Sequence, residues 1–145
     1  MDFIRFELLD PLVKVPTLDK DGIGYNIYSR GNHRINPLER KIVLTGVFLT
    51  LTDGFYGEVV SSPEMMAQKG LSVVSGLCVS RSEIKLILMN INCLEFLRDV
   101  IHNNNAMSGL FGLSGFIQIK PGDLIGKLLI RKIFPESLDF PDNVV

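Results

Sequence analysis

The sequence predicts an all-β domain, and three features of its 145 residues lead to that prediction. Short runs rich in β-branched and aromatic residues recur at intervals of roughly ten residues. Gly, Pro, Asn and Asp separate these runs, and helical periodicity is weak over most of the chain. This spacing is typical of an antiparallel barrel or sandwich. The predicted strands are residues 24–29, 41–51, 59–60, 71–74, 84–89, 116–119 and 124–133.

The amino-terminal half begins with a segment suited to a sheet edge. Residues 3–9 are compatible with a strand, and the prolines at 11 and 16 favour an extended, edge-like entry rather than a helix. The strongest strand follows at residues 41–51, where threonines and branched aliphatic residues suit a pleated surface. Turns are predicted at residues 19–22, 30–32 and 53–54.

The carboxyl-terminal half contains the one clear helical pattern. Residues 94–101 place apolar side chains at three- and four-residue spacing, which predicts about two turns of helix. A polar stretch at 102–105 and a glycine-punctuated apolar run at 108–115 come next, before the strand pattern resumes. We therefore predict a single domain over residues 1–145, with one short helical insertion and a tail at 136–145.

Composition and charge exclude several classes of function. The net charge of −1 gives no general attraction for nucleic acid or an acidic membrane, so neither is predicted as a partner. Cys78 and Cys93 lack the paired spacing of a zinc site or a disulfide framework, and we expect two reduced, semi-buried thiols. His33 and His102 are far apart, so no metal site is predicted. No apolar run reaches the ~20 residues of a membrane span.

Five short motifs, in order between residues 15 and 133, resemble those of the trimeric dUTPases. This resemblance implies a jelly-roll or distorted-barrel fold, a homotrimer, and hydrolysis of dUTP to dUMP and pyrophosphate with magnesium. The matching pieces are residues 24–27 (G-Y-N-I, against A-G-Y-D-L), the T-G pair at 45–46, Tyr56-Gly57 leading into the second motif, Gly76 opening the third, and residues 121–128 (P-G-D-L-I-G-K-L, against G-D-R-I-A-Q-L).

The residues that the resemblance assigns to chemistry are replaced. Asn26 stands where the first motif has an aspartate, and Ser62 stands where the second motif, P-R-S-G, has its phosphate-binding arginine. The same motif places the acid Glu64 beside the phosphates. In the third motif Val79 takes the position of the aspartate that acts as general base, and a valine cannot accept a proton.

Further departures follow in the third, fourth and fifth motifs. No tyrosine follows Gly76 in the third motif, and Lys127 replaces the glutamine of the fourth. The fifth motif, a glycine-rich arm that closes over the nucleotide, is absent from the tail. The sequence thus predicts a vestigial nucleotide site without catalytic residues or cofactor. Its members are Tyr25, Asn26, Ser61, Ser62, Gly76, Val79, Ser80 and Lys127.

An insertion at about residues 95–114 suggests a surface for another protein. One interpretation folds its apolar side chains back onto the domain, and the other docks them on a partner chain. The partner-binding candidates are Leu97, Ile101, Met107, Leu110, Phe111 and Leu113.

These observations together predict a non-enzymatic protein derived from the dUTPases. We expect a homotrimeric, capsid-associated virion component of viral origin, located in the cytoplasm or nucleus of a host or in the virion. Two alternatives stay open from the sequence: a viral adaptor that binds host proteins, and a nucleotide sensor that binds without hydrolysis.

Overall fold

The computed structural model describes residues 4–92 and 115–133, which form eleven strands and one short helix. The elements, in chain order, are β1 (Ile4–Leu8), β2 (Thr17–Leu18), β3 (Tyr25–Tyr28), β4 (His33–Ile35), β5 (Arg40–Leu51), β6 (Phe55–Val60), α1 (Pro63–Lys69), β7 (Leu71–Ser75), β8 (Leu77–Cys78), β9 (Ser82–Asn90), β10 (Ile117–Ile119) and β11 (Leu124–Lys132).

The strands form three antiparallel sheets. A four-stranded sheet has the order β1-β5-β9-β7, a five-stranded sheet has the order β2-β3-β11-β6-β8, and β10 pairs with β4 alone. The all-β prediction is confirmed, and β1 lies at a sheet edge as expected. Within the residues that the structure describes, the sheets do not close into a barrel.

The core lies between the two larger sheets, since both supply side chains to one buried cluster. On β9 the side chains at 84, 86 and 88 are at most 1% exposed while their neighbours at 83, 85 and 87 are more accessible, which is the period of two expected of a strand with one buried face. From the other sheet, Ile27 and Leu128 are fully buried in the same cluster.

The T-G pair of the longest strand forms a bulge. Gly46 has a φ of +70°, and the pairing of β5 with β9 shifts register between Leu44 and Phe48. The Thr45 hydroxyl donates to the backbone oxygen of Ile84 at 2.6 Å, and the Gly46 amide donates to the Glu83 carboxylate at 3.0 Å. Glycine is required because a Cβ at this position would lie 2.8 Å from Cγ2 of Val13.

The helix is found at a place where none was predicted. Helix α1 has only seven residues and none of them is buried, so it leaves no apolar periodicity to detect. Residues typical of helix ends are present. Pro63 and Glu64 lie in the first turn, Lys69 lies in the last turn, and Gly70 is the C-cap with a φ of +69°. The predicted helix at 94–101 lies outside the described residues.

Three short strands, β2, β4 and β8, were not predicted. Strands β2 and β8 have two residues each, which are too few to show an alternating pattern. Cys78 on β8 is 2% exposed, and burial raises the pKa of its thiol to about 11. Cys93, all six partner-binding candidates and the tail at 136–145 lie outside the described residues. Among the described residues, no helix has the length and apolarity of a membrane span.

Candidate functional site

A groove of about 410 Å³ lies beside β3 and β11, and we call it the lysine groove. Its lining contains three residues that the motifs single out, together with a charged turn and the start of the helix. The lining residues are Asp19, Lys20, Asp21, Asn26, Ser62, Pro63, Glu64, Leu124 and Lys127.

The strand order explains why residues from distant motifs meet here. Strand β11 lies between β3 and β6, so Lys127 pairs with Asn26 on one side and with Val60 on the other. Ser62 follows Val60 by two residues and immediately precedes α1. Residues of the first, second and fourth motifs therefore line one groove. Gly24 allows the close approach, since a Cβ there would lie 2.7 Å from the Leu128 carbonyl oxygen.

The charged turn between β2 and β3 is held by its own hydrogen bonds. The Gly22 amide donates to the Asp19 carbonyl at 2.9 Å, and Gly22 has a φ of +70°. The side chains of both acids also accept from the backbone, Asp19 from Lys20 at 2.6 Å and Asp21 from Ile23 at 3.1 Å. These bonds fix two carboxylates at the mouth of the groove.

Lys127 links the turn to the sheet. Its Nζ lies 2.6 Å from Oδ2 of Asp19 and 3.2 Å from Oδ2 of Asp21, while the lysine side chain is 15% exposed. The hydrogen bond from Lys127 holds the pKa of Asp19 below its usual value, and the same bond raises the pKa of Lys127. Both groups are therefore charged at neutral pH.

The groove as a whole is slightly acidic. Three carboxylates and two ammonium groups line it, which gives a formal charge of −1. Its polar groups include the Asn26 amide, which makes no side-chain hydrogen bond to another described residue, and the hydroxyl of Ser62, which is 7% exposed. The arrangement offers donors for phosphate oxygens and carboxylates for a water molecule.

A second groove, of about 560 Å³, contains two of the remaining predicted residues. Ser61 and Gly76 line it, together with residues of β6 and β7. The Ser61 hydroxyl accepts a hydrogen bond from the Val73 amide at 2.8 Å. A Cβ at Gly76 would lie 2.7 Å from the carbonyl oxygen of Val59, so glycine keeps this strand end close to β6.

The last three predicted residues line neither groove. Tyr25 packs edge to face against Phe6, with ring centroids 5.2 Å apart. The Ser80 hydroxyl bonds to both the amide and the carbonyl of Leu51, so its role in this chain is to join β5 to the segment before β9. Val79 is 58% exposed.

The sequence interpretation did not assign Asp19, Lys20 or Asp21 to the site, because it treated them only as a turn. A signal was present: the turn comes immediately before the first motif, so a hairpin would bring its side chains beside Asn26. Only the pairing of β3 with β11 brings them to Lys127, and the local sequence does not specify that pairing.

The magnesium ion that the resemblance implies does not fit these residues as a protein-held ion. No group of three or more His, Cys, Asp or Glu side chains among residues 4–92 and 115–133 converges as metal ligands. The carboxylates of Asp19 and Asp21, which line the groove, both form ion pairs with the ammonium of Lys127. The positive charge at this point of the groove is supplied by the lysine.

Enzymes named deoxyuridine 5'-triphosphate nucleotidohydrolase are among the curated proteins similar to this chain, whereas no family model matches it. The deoxyuridine 5'-triphosphate nucleotidohydrolase of Mycobacterium avium is 31% identical over 107 residues, which are 70% of this chain and 68% of that protein. The Mycolicibacterium gilvum protein of the same name is 29% identical over 137 residues. The human mitochondrial protein is 26% identical over 139 residues, and the chain spans about half of its length, 47%.

Solved structures share the fold. A mutant dUTPase from phage phi11 of S. aureus superposes with a TM-score of 0.72, at 18% identity and 97% coverage of both chains. The Staphylococcus bacteriophage 80alpha dUTPase with dUpNHpp superposes with a TM-score of 0.75, at 17% identity, and covers 98% of this chain. The jelly-roll prediction drawn from the resemblance is therefore confirmed for the fold.

The comparisons overturn the functional prediction. The curated relatives are named as enzymes, so the prediction of a non-enzymatic, capsid-associated pseudoenzyme is wrong, and so are the adaptor and sensor alternatives. The substitutions at 26, 62, 79 and 127 are facts of the sequence, but they do not establish loss of activity. The charged groups that the turn brings into the groove lie outside the motifs, so the motif positions alone do not describe the chemistry of the site.

The predicted viral origin and intracellular location stay predictions. The Mycobacterium avium relative is 31% identical over its 107 aligned residues, and the chain covers more than two thirds of that protein. Together with the fold and the order of the motifs, this shows that the chain belongs to the family of deoxyuridine 5'-triphosphate nucleotidohydrolases, the dUTPases.

Proposed function

We propose that this protein is a dUTP nucleotidohydrolase whose phosphate-binding side is the lysine groove. The observation that carries the proposal is the convergence of Asn26, Ser62 and Lys127, three residues from separate motifs, on that groove. The names of the relatives support the same substrate class.

The side chains of the groove fit separate tasks in this reaction. Lys127 and Lys20 supply positive charge to a phosphate, and the Ser62 hydroxyl and Asn26 amide supply neutral donors. Val79 cannot accept a proton, so among the described residues the groove's carboxylates are the candidates to orient and deprotonate the attacking water. Asp19 and Asp21 form ion pairs with Lys127, whereas Glu64 forms no ion pair with another described residue.

Purified protein is expected to convert dUTP to dUMP and pyrophosphate in the presence of magnesium chloride, as measured by chromatography of the products. Lys127→Met is expected to lower kcat/KM by about 10-fold or more, because it removes one charged phosphate contact without introducing the glutamine that the resemblance places at this position. Lys132→Met, on the exposed end of the same strand, is the matched control and is expected to keep wild-type activity. Absence of dUMP with enzyme and substrate at equal concentration would contradict the proposal.

We further propose the homotrimer that the resemblance implies. Several apolar side chains are strongly exposed in the single chain, among them Ile42 at 65%, Leu77 at 68% and Val79 at 58%. Light scattering coupled to gel filtration is expected to give about three times the 16.2 kDa chain mass. A single species at the chain mass would refute this assembly. The comparisons give no support to capsid proteins as partners.

A further inference from the structure

Two carboxylates share the Lys127 ammonium in the arrangement observed. Oδ2 of Asp19 and both oxygens of Asp21 lie within 3.4 Å of Nζ, and a single N–H serves both Asp21 oxygens because they belong to one carboxylate. The two negative charges oppose the approach of a phosphate to this lysine, so replacing one carboxylate by a phosphate oxygen removes a like charge from the binding site.

The two carboxylates are not equivalent partners. Asp19 makes the short contact, at 2.6 Å, and its side chain is 31% exposed. Asp21 makes two longer contacts, at 3.2 and 3.4 Å, and its side chain is 49% exposed. A longer and more solvated contact is the weaker of the two. Asp21 is therefore the partner that a phosphate can replace at lower cost.

Building on the proposed function, we infer that Asp21 is a displaceable competitor for the Lys127 ammonium, and that nucleotide binding exchanges the Asp21 contact for a phosphate oxygen while Asp19 holds the lysine in place. Asp19 is then a positioning residue, and Asp21 limits affinity for polyphosphate. No covalent step is involved.

This assignment predicts effects of opposite sign for the two acids of the turn, Asp19 and Asp21. Asp21→Asn keeps the oxygen that accepts from the Ile23 amide, but it removes a negative charge that competes with the phosphate. Asp19→Asn likewise keeps the bond from the Lys20 amide, but it loosens the lysine. If Asp21 were instead a ligand of magnesium or the general base, its amide variant would bind more weakly or hydrolyse more slowly without binding more tightly.

The test is calorimetric titration of the full chain and its variants with dUpNHpp and magnesium chloride. We expect Asp21→Asn to lower Kd by about 3- to 10-fold and Asp19→Asn to raise it by a similar factor, as expected for partly exposed charge contacts. Lys127→Met is expected to raise Kd by about 10-fold or more. Asp53→Asn, at an exposed turn outside the groove, is the matched control and is expected to leave Kd unchanged. Disruption of the fold can only weaken binding, so tighter binding by Asp21→Asn is not explained by unfolding.

Failure of this inference and failure of the proposed function give different results. If Asp21→Asn weakens binding of dUpNHpp or leaves it unchanged while wild type binds, the exchange is wrong and the hydrolase proposal stands. If wild type does not bind dUpNHpp, the hydrolase proposal fails, and the titration is repeated with inorganic tripolyphosphate. Tighter binding of tripolyphosphate by Asp21→Asn would support the exchange, and any other result with that probe would overturn it.

Discussion

Leu128→Ala is expected to lower the free energy of unfolding by about 3 kcal/mol, the usual cost of truncating a fully buried leucine. Leu128 is 0% exposed and lies on β11, which has a paired strand on each side. The loss combines the transfer of the removed carbon atoms with the cavity that they leave. Because strands flank β11 on both edges, the backbone has little freedom to collapse into that cavity.

The measurement is equilibrium urea unfolding of wild type and variant. Leu12→Ala is the matched control, because the same atoms are removed from a side chain that is 95% exposed, and we expect a change of less than about 0.5 kcal/mol. A loss below about 1 kcal/mol for Leu128→Ala would mean that the two sheets are not packed against each other as the buried cluster implies.

The strands were predictable because their residues repeat a local pattern, whereas the order of the strands in the sheets was not. The run at 41–51 was predicted from its composition, and the structure begins that strand one residue earlier, at Arg40. Nothing in that run indicates that β9, about forty residues later, is its neighbour. The register is set by contacts such as the Thr45 hydroxyl bond to Ile84.

The candidate site shows the same division. Asn26, Ser62 and Lys127 were selected by comparison with family motifs, and they do line one groove. Gly76 was selected by the same argument but lies in a second groove, because it stands between β7, which belongs to the other sheet, and β8, which lies at the opposite edge of the five-stranded sheet from β2 and β3. Asp19 and Asp21 belong to no motif, and their contact with Lys127 spans more than a hundred residues of chain.

The functional error came from equating missing motif residues with missing chemistry. A motif position records where one family places a group, but a charged side chain from a neighbouring turn can occupy the same space. The turn before β3 illustrates this, since it brings the carboxylates of Asp19 and Asp21 to Lys127, which stands where the resemblance implies a neutral glutamine. The activity and binding measurements on the Lys127 and Asp21 variants test whether these charged groups contact the nucleotide.

Asn90→Ala is expected to destabilise the domain by about 3 kcal/mol, because the variant removes three hydrogen bonds to buried or half-buried backbone groups. Of these groups, the Gly115 carbonyl keeps a second, longer bond, from Nδ2 of Asn92 at 3.3 Å. Asn90 is the last residue of β9 and is 0% exposed. Its Nδ2 donates to the carbonyls of Ile35 at 2.9 Å and Gly115 at 2.7 Å, and its Oδ1 accepts from the Asn92 amide at 2.9 Å.

These bonds join separate parts of the fold. Ile35 ends β4 and Gly115 lies just before β10, so one amide ties the two-stranded sheet to the four-stranded sheet. Alanine removes the donors without removing the carbonyls, which is the costly case for a buried hydrogen bond. Asn90→Asp is expected to be at least as harmful above the usual pKa of a carboxyl group, since a carboxylate would face two carbonyl oxygens.

Thermal and urea unfolding of Asn90→Ala, Asn90→Asp and the exposed control Asn32→Ala measure this effect. We expect Asn32→Ala to change the free energy of unfolding by less than about 0.5 kcal/mol. The aspartate variant is expected to recover part of its stability as pH falls and the carboxyl group protonates, because a protonated carboxyl regains one donor. A loss below about 1 kcal/mol for both Asn90 variants would show that water replaces the amide at these carbonyls. The link between the two sheets would then depend on strand packing, and the buried amide would add nothing to it.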